Sequence, residues 1–347
     1  MQYRRLGRTD LDVSQLCLGS MTWGTQNTTE EGHRQIDLAF DHGVNFVDTA
    51  EMYPTTPRTD ATQGDTERVI GDWVARGGAR ERMVLATKIS GVGATGARKG
   101  EPISGDAMRR ALEASLARLQ TDYVDLYQLH WPNRGSYHFR QYWNYNPTRQ
   151  SRAKTRAHIR DVLETAAALV DEGKIRHLGL SNESAWGTQQ FLDIAEAEGL
   201  PRVVSIQNEY SLLCRIFDLD LAELCHNEDV GLLAFSPLAA GMLSGKYLGD
   251  AIPPGSRRSI QKDLNGRLSP RAPEAVTAYV EIARRHGLDP CQMALAWCCT
   301  RPFMTSAIFG ATTMAQLENA LGAAEITLSP EVMEEIAATH RAYPMPY

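Results

Sequence analysis

Short apolar runs alternate with longer amphipathic segments along most of the chain. The runs that end at Asp48, Lys88 and His130 are typical of buried strands, whereas residues 108–119 place their apolar side chains on one helical face. The pattern predicts strands at 15–19, 44–48, 83–88, 123–130, 174–181, 203–208, 231–236 and 306–310. It predicts helices between Thr28 and Gly43 and at 66–76, 108–119, 159–172, 185–198, 219–227, 274–286, 291–299, 315–321 and 330–342.

Local signals support the first helix and a hairpin ahead of it. Thr28 is suited to cap the helix N-terminus, and Glu31 three residues later completes a capping box. Gly43 is suited to the position where the helix ends. Residues 3–14 alternate weakly around a turn at 7–10, which predicts a short hairpin before the first strand of the main sheet.

Eight strands that alternate with helices predict an α/β fold. The simplest architecture with that count is a (β/α)8 TIM barrel, here with a short N-terminal hairpin and one domain over residues 1–347. A doubly wound parallel sheet is the alternative fold. It is disfavoured because no Gly-x-Gly-x-x-Gly follows an early strand.

Composition and charge narrow the class of protein. The 347 residues carry a formal net charge of −6, which disfavours a nucleic-acid-binding protein. No run reaches the ~18 apolar residues of a membrane span, and the N-terminus has no apolar signal core. The six cysteines form no Cys-x-x-Cys pair and no zinc-ligand spacing, so we expect reduced thiols, no metal and a cytoplasmic location.

Ionisable residues mark the ends of three predicted strands. Asp48 ends one strand and Tyr53 follows five residues later, while Lys88 and His130 end two others. Each of these residues alone also has an ordinary structural interpretation, such as a helix cap or a solvated charge. In one parallel barrel, however, all strand ends open on the same face, so the four side chains are expected to converge.

That set suits the reduction of a carbonyl group. A tyrosine hydroxyl is a weak acid, with a pKa of about 10. A nearby ammonium stabilises the phenolate and is expected to lower that pKa, and a carboxylate keeps the lysine charged and in place. A histidine at the carbonyl oxygen can orient it or share the proton.

Three segments are longer than plain connections require, and each follows one of these residues. They are the Thr- and Pro-rich segment 54–65, the glycine-rich segment 90–102 and the aromatic and basic segment 133–156. Long loops at this barrel face usually shape a substrate site, although variable surface decoration is the alternative. The third segment is interpreted as a substrate wall or a subunit contact.

The motifs around these residues, in their order along the chain, resemble those of the aldo-keto reductase family, and most closely its bacterial Tas-type branch. They are Asp48-Thr49-Ala50-x-x-Tyr53, Ala86-Thr87-Lys88, Asp125-Leu126-Tyr127-Gln128-Leu129-His130-Trp131-Pro132, Gly179-Leu180-Ser181-Asn182, Gln207-Asn208-Glu209-Tyr210-Ser211, Phe235-Ser236-Pro237-Leu238 and Gly310-Ala311-Thr312-Thr313. The resemblance covers essentially the whole chain. It implies an NADPH-dependent reductase of aldehydes or ketones, with Tyr53 as proton donor assisted by Asp48, Lys88 and His130.

The resemblance also implies that NADP(H) binds in an extended pose without a Rossmann motif. Ser181, Asn182 and Gln207 would hold the nicotinamide amide, and Tyr210 would stack on its ring. Small residues at 236–241 would wrap the pyrophosphate. The full set implied is Ser20, Met21, Gln26, Asp48, Ser181, Asn182, Gln207, Tyr210, Phe235, Ser236, Pro237, Leu238, Ala239, Gly241, Lys246, Arg257, Gly310, Thr312, Gln316 and Asn319.

Within this set, Lys246 matches a phosphate-contacting lysine, and Arg257 matches the arginine near the adenosine 2′-phosphate. One departure concerns adenine, because Asn319 stands where the family usually has Glu and Ala320 where it usually has Asn. The preference for NADPH over NADH therefore stays open.

Two other functions are compatible with the sequence. One is a nicotinamide-binding redox sensor or regulatory subunit, since potassium-channel β subunits resemble this fold. They often lack the histidine, so His130 favours an enzyme. The other is a phosphate-binding barrel enzyme of a different family, which needs other strand-end residues. The expected partner is a small carbonyl substrate, with neither nucleic acid nor membrane, and a homo-oligomer is compatible with the chain.

Overall fold

Eight parallel strands close into a barrel in the computed structural model, which describes residues 1–347. Neighbouring strands follow the chain order, and the last strand closes the ring by pairing with both the first barrel strand and the strand before it. Their bounds are β3 Leu16–Gly19, β4 Phe46–Asp48, β5 Val84–Ile89, β6 Val124–Leu129, β7 Ile175–Ser181, β8 Val203–Glu209, β9 Gly231–Phe235 and β10 Met304–Phe309. The predicted (β/α)8 barrel is confirmed.

The helices form the outer layer. They are α1 Thr29–Asp41, α2 Asp65–Ala75, α3 Gly105–Leu119, α4 Arg152–Asp171, α5 Ala185–Glu198, α6 Asp220–Glu228, α7 Arg257–Ile260, α8 Ala272–Arg285, α9 Pro290–Cys299, α10 Met314–Gly322 and α11 Pro330–Ala342. The apolar stripe of α3, which includes Met108, Leu112 and Leu116, is buried in the layer between helices and strands. The capping box of α1 is present as predicted, with Thr28 and Glu31 exchanging hydrogen bonds.

The N-terminal hairpin closes one end of the barrel. Strands β1 Tyr3–Arg5 and β2 Asp12–Ser14 pair antiparallel, as the sequence predicts. Leu6 and Val13 are fully buried and pack with side chains of the barrel interior. Because the hairpin covers this end, the opposite end is the one that remains open for a ligand.

Strand register brings the predicted residues to that open end. Asp48 lies opposite Ala86, two residues before Lys88, and Lys88 lies opposite Gln128. Ser181 lies opposite Gln207 on the next pair of strands. A parallel barrel therefore collects these residues at one rim, although they come from distant parts of the chain.

Helix α4 begins seven residues earlier than the sequence pattern predicts. Ser151 accepts a hydrogen bond from the backbone N–H of Lys154 and caps the helix. The first turns of α4 are polar and basic, so the apolar periodicity becomes visible only from Ile159. The third long loop accordingly ends at residue 151, and it contains a short 3-10 helix at Gln141–Trp143.

None of the helices combines the length and the apolar character that crossing a membrane requires.

Candidate active site

The buried ion pair of Asp48 and Lys88 is the centre of the site. Strand β4 ends at Asp48, and the Nζ of Lys88 on β5 donates to its Oδ2 at 2.6 Å. The same Nζ donates to the backbone carbonyl of Thr49 at 2.7 Å. The Lys88 side chain is 0% exposed and that of Asp48 is 3% exposed, so neither charge has water as an alternative partner.

Two glutamines hold the other oxygen of Asp48. The side-chain amides of Gln207 and Gln128 donate to Oδ1 at 2.8 and 3.2 Å. Asp48 is therefore fixed by donors from three different strands. Gln128 has no assigned role in the sequence prediction, although it lies in the motif that ends at His130.

Tyr53 lies directly above this pair. Its ring centroid is 4.9 Å from the Nζ of Lys88 and 5.8 Å from the ring centroid of His130, at an interplanar angle of 74°. Burial raises the pKa of Tyr53 more than the nearby Lys88 lowers it. The expectation that Lys88 lowers the pKa of Tyr53 is therefore wrong for the protein without a ligand, and the phenol stays protonated at neutral pH.

Lys88 is charged in this environment. Burial lowers its pKa, but the attraction of Asp48 and Tyr53 outweighs burial, and the pKa of Lys88 is raised. An ammonium thus lies below the tyrosine ring, where it can stabilise negative charge on the phenol oxygen.

His130 is neutral at pH 7. Its pKa is well below the usual value because the ring is buried and because Lys88 and Arg58 carry positive charge nearby. Its Nδ1 is buried without a hydrogen-bond partner, and its backbone carbonyl accepts from the side-chain amide of Asn182 at 2.9 Å. A neutral imidazole offers one N–H donor and one acceptor to a ligand.

These side chains line a cavity of about 1140 Å³ at the open end of the barrel. Tyr53, His130 and Asp48 line it, whereas Lys88 lies beneath them and does not. The cavity also contains most of the predicted cofactor residues, namely Ser20, Met21, Gln26, Ser181, Asn182, Gln207, Phe235, Ser236, Pro237, Leu238, Gly241, Lys246, Arg257, Gly310, Thr312, Gln316 and Asn319. The volume exceeds the ~300–1,000 Å³ of ordinary ligand pockets, as a dinucleotide together with a substrate requires.

The rim at β7 and β8 offers an unused hydrogen-bond acceptor. The side-chain amide of Asn182 donates to Ser181 Oγ and to His130 O, but its Oδ1 is buried without any donor. A buried acceptor without a partner costs about 1–3 kcal/mol, so a ligand N–H at this point is favoured. The amide group of nicotinamide carries such a donor.

The segment after β9 has a left-handed backbone at several residues that are not glycine. Values of φ are 54° at Ser236, 48° at Ala239 and 57° at Ala240, followed by 88° at Gly241. Such conformations are costly for residues with a Cβ and are concentrated at ligand sites, where they turn backbone N–H groups toward an anion. Ala240 lines the cavity, whereas the side chain of Ala239 is fully buried away from it.

Two cations at this end have no carboxylate partner. Neither Lys246 nor Arg257 has a carboxylate within 4.0 Å, although both line the cavity. The pKa of Arg257 falls to about 10, mainly because the side chain is buried and also because Arg267 is nearby, so the group remains charged at pH 7. Uncompensated cations in a cavity are suited to phosphate groups.

The start of helix α10 completes the cavity wall. The backbone N–H and the hydroxyl of Thr312 both donate to Gln316 Oε1 at 3.0 Å. Asn319 is held by Gln292, which donates to its Oδ1 at 3.0 Å, and it donates to Asp289 at 3.1 Å. Asn319 therefore reaches the cavity with most of its hydrogen-bonding capacity in use.

Tyr210 does not reach the cavity, which corrects its predicted place against the nicotinamide. Its ring stacks on Trp297 with centroids 5.4 Å apart at 12°, and its hydroxyl donates to Asp218 at 2.6 Å. The side chain is fully buried in the helix layer. Phe235, the half-buried last residue of β9, is the aromatic residue that lines the cavity at this rim.

A cluster of ion pairs that joins two loops to the barrel was not predicted from the sequence. Glu209 at the end of β8 accepts from Arg140 at 2.6 Å, from Arg267 at 2.8 Å and from the hydroxyl of Tyr347 at 3.2 Å. Its pKa is lowered because the two arginines outweigh the effect of burial. A glutamate at the end of β8 was the only signal in the sequence, and it gave no indication of its partners.

A closed (β/α)8 barrel with a tyrosine, a buried lysine–aspartate pair and a histidine around one large cavity defines a class of barrel oxidoreductases. The sequence model of the Aldo/keto reductase family matches residues 15–341. The chain belongs to this family.

Proteins similar to the chain over nearly its full length include one oxidoreductase and one probable channel subunit by name. Protein tas of Escherichia coli (strain K12) is 44% identical, over 100% of this chain and 99% of that protein. The "Uncharacterized oxidoreductase YrpG" of Bacillus subtilis (strain 168) is 33% identical, over 96% and 94% of the two chains. The "Probable voltage-gated potassium channel subunit beta" of Arabidopsis thaliana is 30% identical, over 99% and 98%. The predicted Tas-type resemblance is confirmed.

Proposed function

We propose that the protein reduces aldehydes or ketones to alcohols with NADPH. The observation that carries this proposal is the position of Tyr53, which lies between the charged Lys88 and the neutral His130 at the wall of one large cavity. Membership of the family supports an oxidoreductase that uses NAD(P)H. Beyond that membership, we propose the substrate class, the preference for NADPH and the role of each residue.

NADP(H) fits the residues that line the cavity. Asn182 Oδ1 would accept from the nicotinamide amide, and Phe235 would contact the ring face that Tyr210 cannot reach. Lys246 and Arg257 would pair with phosphates, because they have no carboxylate of their own. When bound, the cofactor supplies a hydride to the substrate carbon.

The protein's own contribution is to deliver the proton. Tyr53 is protonated at neutral pH and would give its proton to the carbonyl oxygen as negative charge develops there. Lys88 would stabilise the resulting phenolate, and Asp48 keeps Lys88 charged and in place. The neutral His130 would donate an N–H to the same oxygen and orient it.

A redox sensor or regulatory subunit is the second candidate. It is supported by the relative from Arabidopsis thaliana whose name is that of a probable channel subunit. A sensor needs to bind the cofactor but does not need a proton donor beside a histidine. The complete set of Tyr53, Lys88, Asp48 and His130 therefore favours turnover.

The setting of the enzyme is also part of the proposal. We expect residues 1–347 to act as one domain on a small carbonyl substrate in the cytoplasm, without nucleic acid or membrane. All six cysteines are free thiols, five of them buried, which suits a reducing compartment.

The test is NADPH consumption with 4-nitrobenzaldehyde, for the wild type and for Tyr53→Phe. We expect turnover in the wild type and its loss in the variant, which should retain NADPH binding by fluorescence titration. A variant that reduces the aldehyde as fast as the wild type would remove Tyr53 as the proton donor. Tight NADPH binding by a wild type that is inactive on a broad aldehyde panel would favour the sensor.

A further inference from the structure

The arginines of the cavity differ in whether a carboxylate neutralises them. Those that line the cavity are Arg58, Arg134, Arg140, Arg257 and Arg267. Arg134 forms a bidentate ion pair with Glu183. Arg140 and Arg267 both pair with Glu209. Arg257 and Arg58 have no carboxylate within 4.0 Å. Arg257 has a proposed partner in a cofactor phosphate, whereas Arg58 has none.

Arg58 lines the cavity from the loop that follows Tyr53. It is an exposed residue of that loop, and His130 and Trp131 line the same cavity. Its guanidinium makes no hydrogen bond with any group of the protein. Asp65, the acidic residue at the start of α2, is already paired with Arg68 at 2.7 Å. The charge of Arg58 is therefore available to a ligand.

The charge of Arg58 also acts on the reacting end of the cavity. Together with burial and with Lys88, it holds the pKa of His130 below its usual value. Arg58 follows Tyr53 by only five residues in the same loop, whereas Lys246 and Arg257 come from the segment after β9. A ligand group bound to Arg58 would thus share the cavity with a carbonyl group at Tyr53.

An aromatic surface lies beside His130. The ring of Trp131 is 4.9 Å from that of His130 and 6.1 Å from that of Phe139, to which it is nearly perpendicular at 86°. Val92 and Phe139 are 45% and 41% exposed, so this wall is open to a ligand. A flat apolar body packed on Trp131 would lie beside His130 in the cavity that Tyr53 and Arg58 also line.

We propose that Arg58 is a specificity-determining residue and that the physiological substrate is a carbonyl compound that carries a carboxylate. A guanidinium pairs with a carboxylate through two parallel N–H donors, which makes arginine better suited than lysine to this role. This proposal rests on the proposed reductase activity and specifies that the substrate is negatively charged.

The experiment compares each acid with its neutral ester. The kcat/KM values of 3- and 4-carboxybenzaldehyde are measured against those of their methyl esters, for the wild type, Arg58→Gln and Arg58→Lys. We expect the wild type to favour at least one acid over its ester by about tenfold, which corresponds to ~1.4 kcal/mol. Arg58→Gln should abolish that preference and leave the ester rate within twofold, whereas Arg58→Lys should keep part of it.

Arg34→Gln is the matched control. Arg34 is exposed on α1, has no ion-pair partner and does not line the cavity, so its loss removes the same charge from elsewhere. We expect the control to keep the full preference for the acid. A wild type without any preference for either acid would overturn the proposal. So would an Arg58→Gln variant that loses the acid and the ester equally with a shifted pH profile, because Arg58 would then act through His130.

A binding measurement separates this inference from the proposed activity. Calorimetric titration of the NADP⁺-loaded protein with 4-(hydroxymethyl)benzoate requires no turnover. Binding by the wild type that weakens about tenfold in Arg58→Gln would support the carboxylate site even if no aldehyde were reduced, and only the proposed reaction would then fail. Equal binding by both proteins would overturn the carboxylate site and leave the reaction untouched.

Discussion

Replacing Asp48 by Asn removes one charge from a pair that is almost completely buried. The side chains have nearly the same shape, so packing in the barrel is retained. Lys88 would keep its hydrogen bond to the Thr49 carbonyl but lose its carboxylate. The perturbation therefore isolates the electrostatic role of Asp48 from its volume.

The magnitude follows from the distance. At 2.6 Å and an effective dielectric constant of about 20, the attraction between Nζ and Oδ2 is about 6 kcal/mol. Part of it is offset by the cost of burying both charges, and breaking one side of a buried pair typically destabilises a protein by ~3–5 kcal/mol. We expect the free energy of unfolding of Asp48→Asn to fall by about 3 kcal/mol at pH 7.

The pH dependence provides a second signature. In the wild type the pKa of Lys88 is raised, so its contribution to stability is present below the usual lysine pKa of about 10.4 and is lost only as pH rises beyond it. In Asp48→Asn, burial without a carboxylate should lower the pKa of Lys88. The unfolded variant then binds more protons than the folded one, so its stability should rise between pH 7 and 9 while that of the wild type stays flat.

Urea unfolding followed by tryptophan fluorescence measures these values, and Asp229→Asn is the control. Asp229 pairs with Arg8 at 2.9 Å, but the two side chains are 60% and 50% exposed, so the loss should stay below about 1 kcal/mol. Asp48→Asn combined with Lys88→Met should recover most of the stability, since Met removes the buried charge that Asp48→Asn leaves without a partner. A decrease in Asp48→Asn no larger than that in the control would refute the reasoning.

Two further predictions concern the cofactor end. Arg257→Ala should weaken NADPH binding by tenfold or more and NADH binding little, because only NADPH carries the 2′-phosphate. Fluorescence titration measures both affinities. Equal weakening of NADPH and NADH would show that Arg257 does not bind that phosphate. Tyr210→Phe should leave the KM for NADPH within twofold and lower the melting temperature, because the hydrogen bond to Asp218 is lost. Phe235→Ala should raise the KM for NADPH. Steady-state kinetics in which Tyr210→Phe raises this KM and Phe235→Ala does not would restore Tyr210 to the nicotinamide.

The barrel was predictable because its signals are local and repeated. Each strand is a short apolar run, and each helix has an apolar face and end signals, such as the capping box of Thr28 and Glu31. Parallel strands in a ring then bring Asp48, Lys88 and His130 to one rim by geometry alone. The convergence of these residues required no knowledge of side-chain contacts.

What the sequence did not predict depends on contacts between distant segments. Tyr210 follows a strand end as Tyr53 does, but the direction of its side chain is decided by Trp297 and Asp218. The pKa of Tyr53 depends on how deeply the loops bury it, which its distance from Lys88 along the chain does not give. Glu209 gains its two arginines from loops that have no periodic pattern.

In the proposed reaction, a hydride passes from NADPH to a carbonyl carbon in the cavity above Tyr53. The direct measurement uses NADPH deuterated at C4 of the nicotinamide, on either face in separate runs, with 4-nitrobenzaldehyde as substrate and mass spectrometry of the alcohol. We predict that one of the two labelled cofactors transfers one deuterium to the carbinol carbon and that Tyr53→Phe forms almost no labelled alcohol. An alcohol without label from both cofactors, or oxidation of NADPH without any alcohol, would contradict the account.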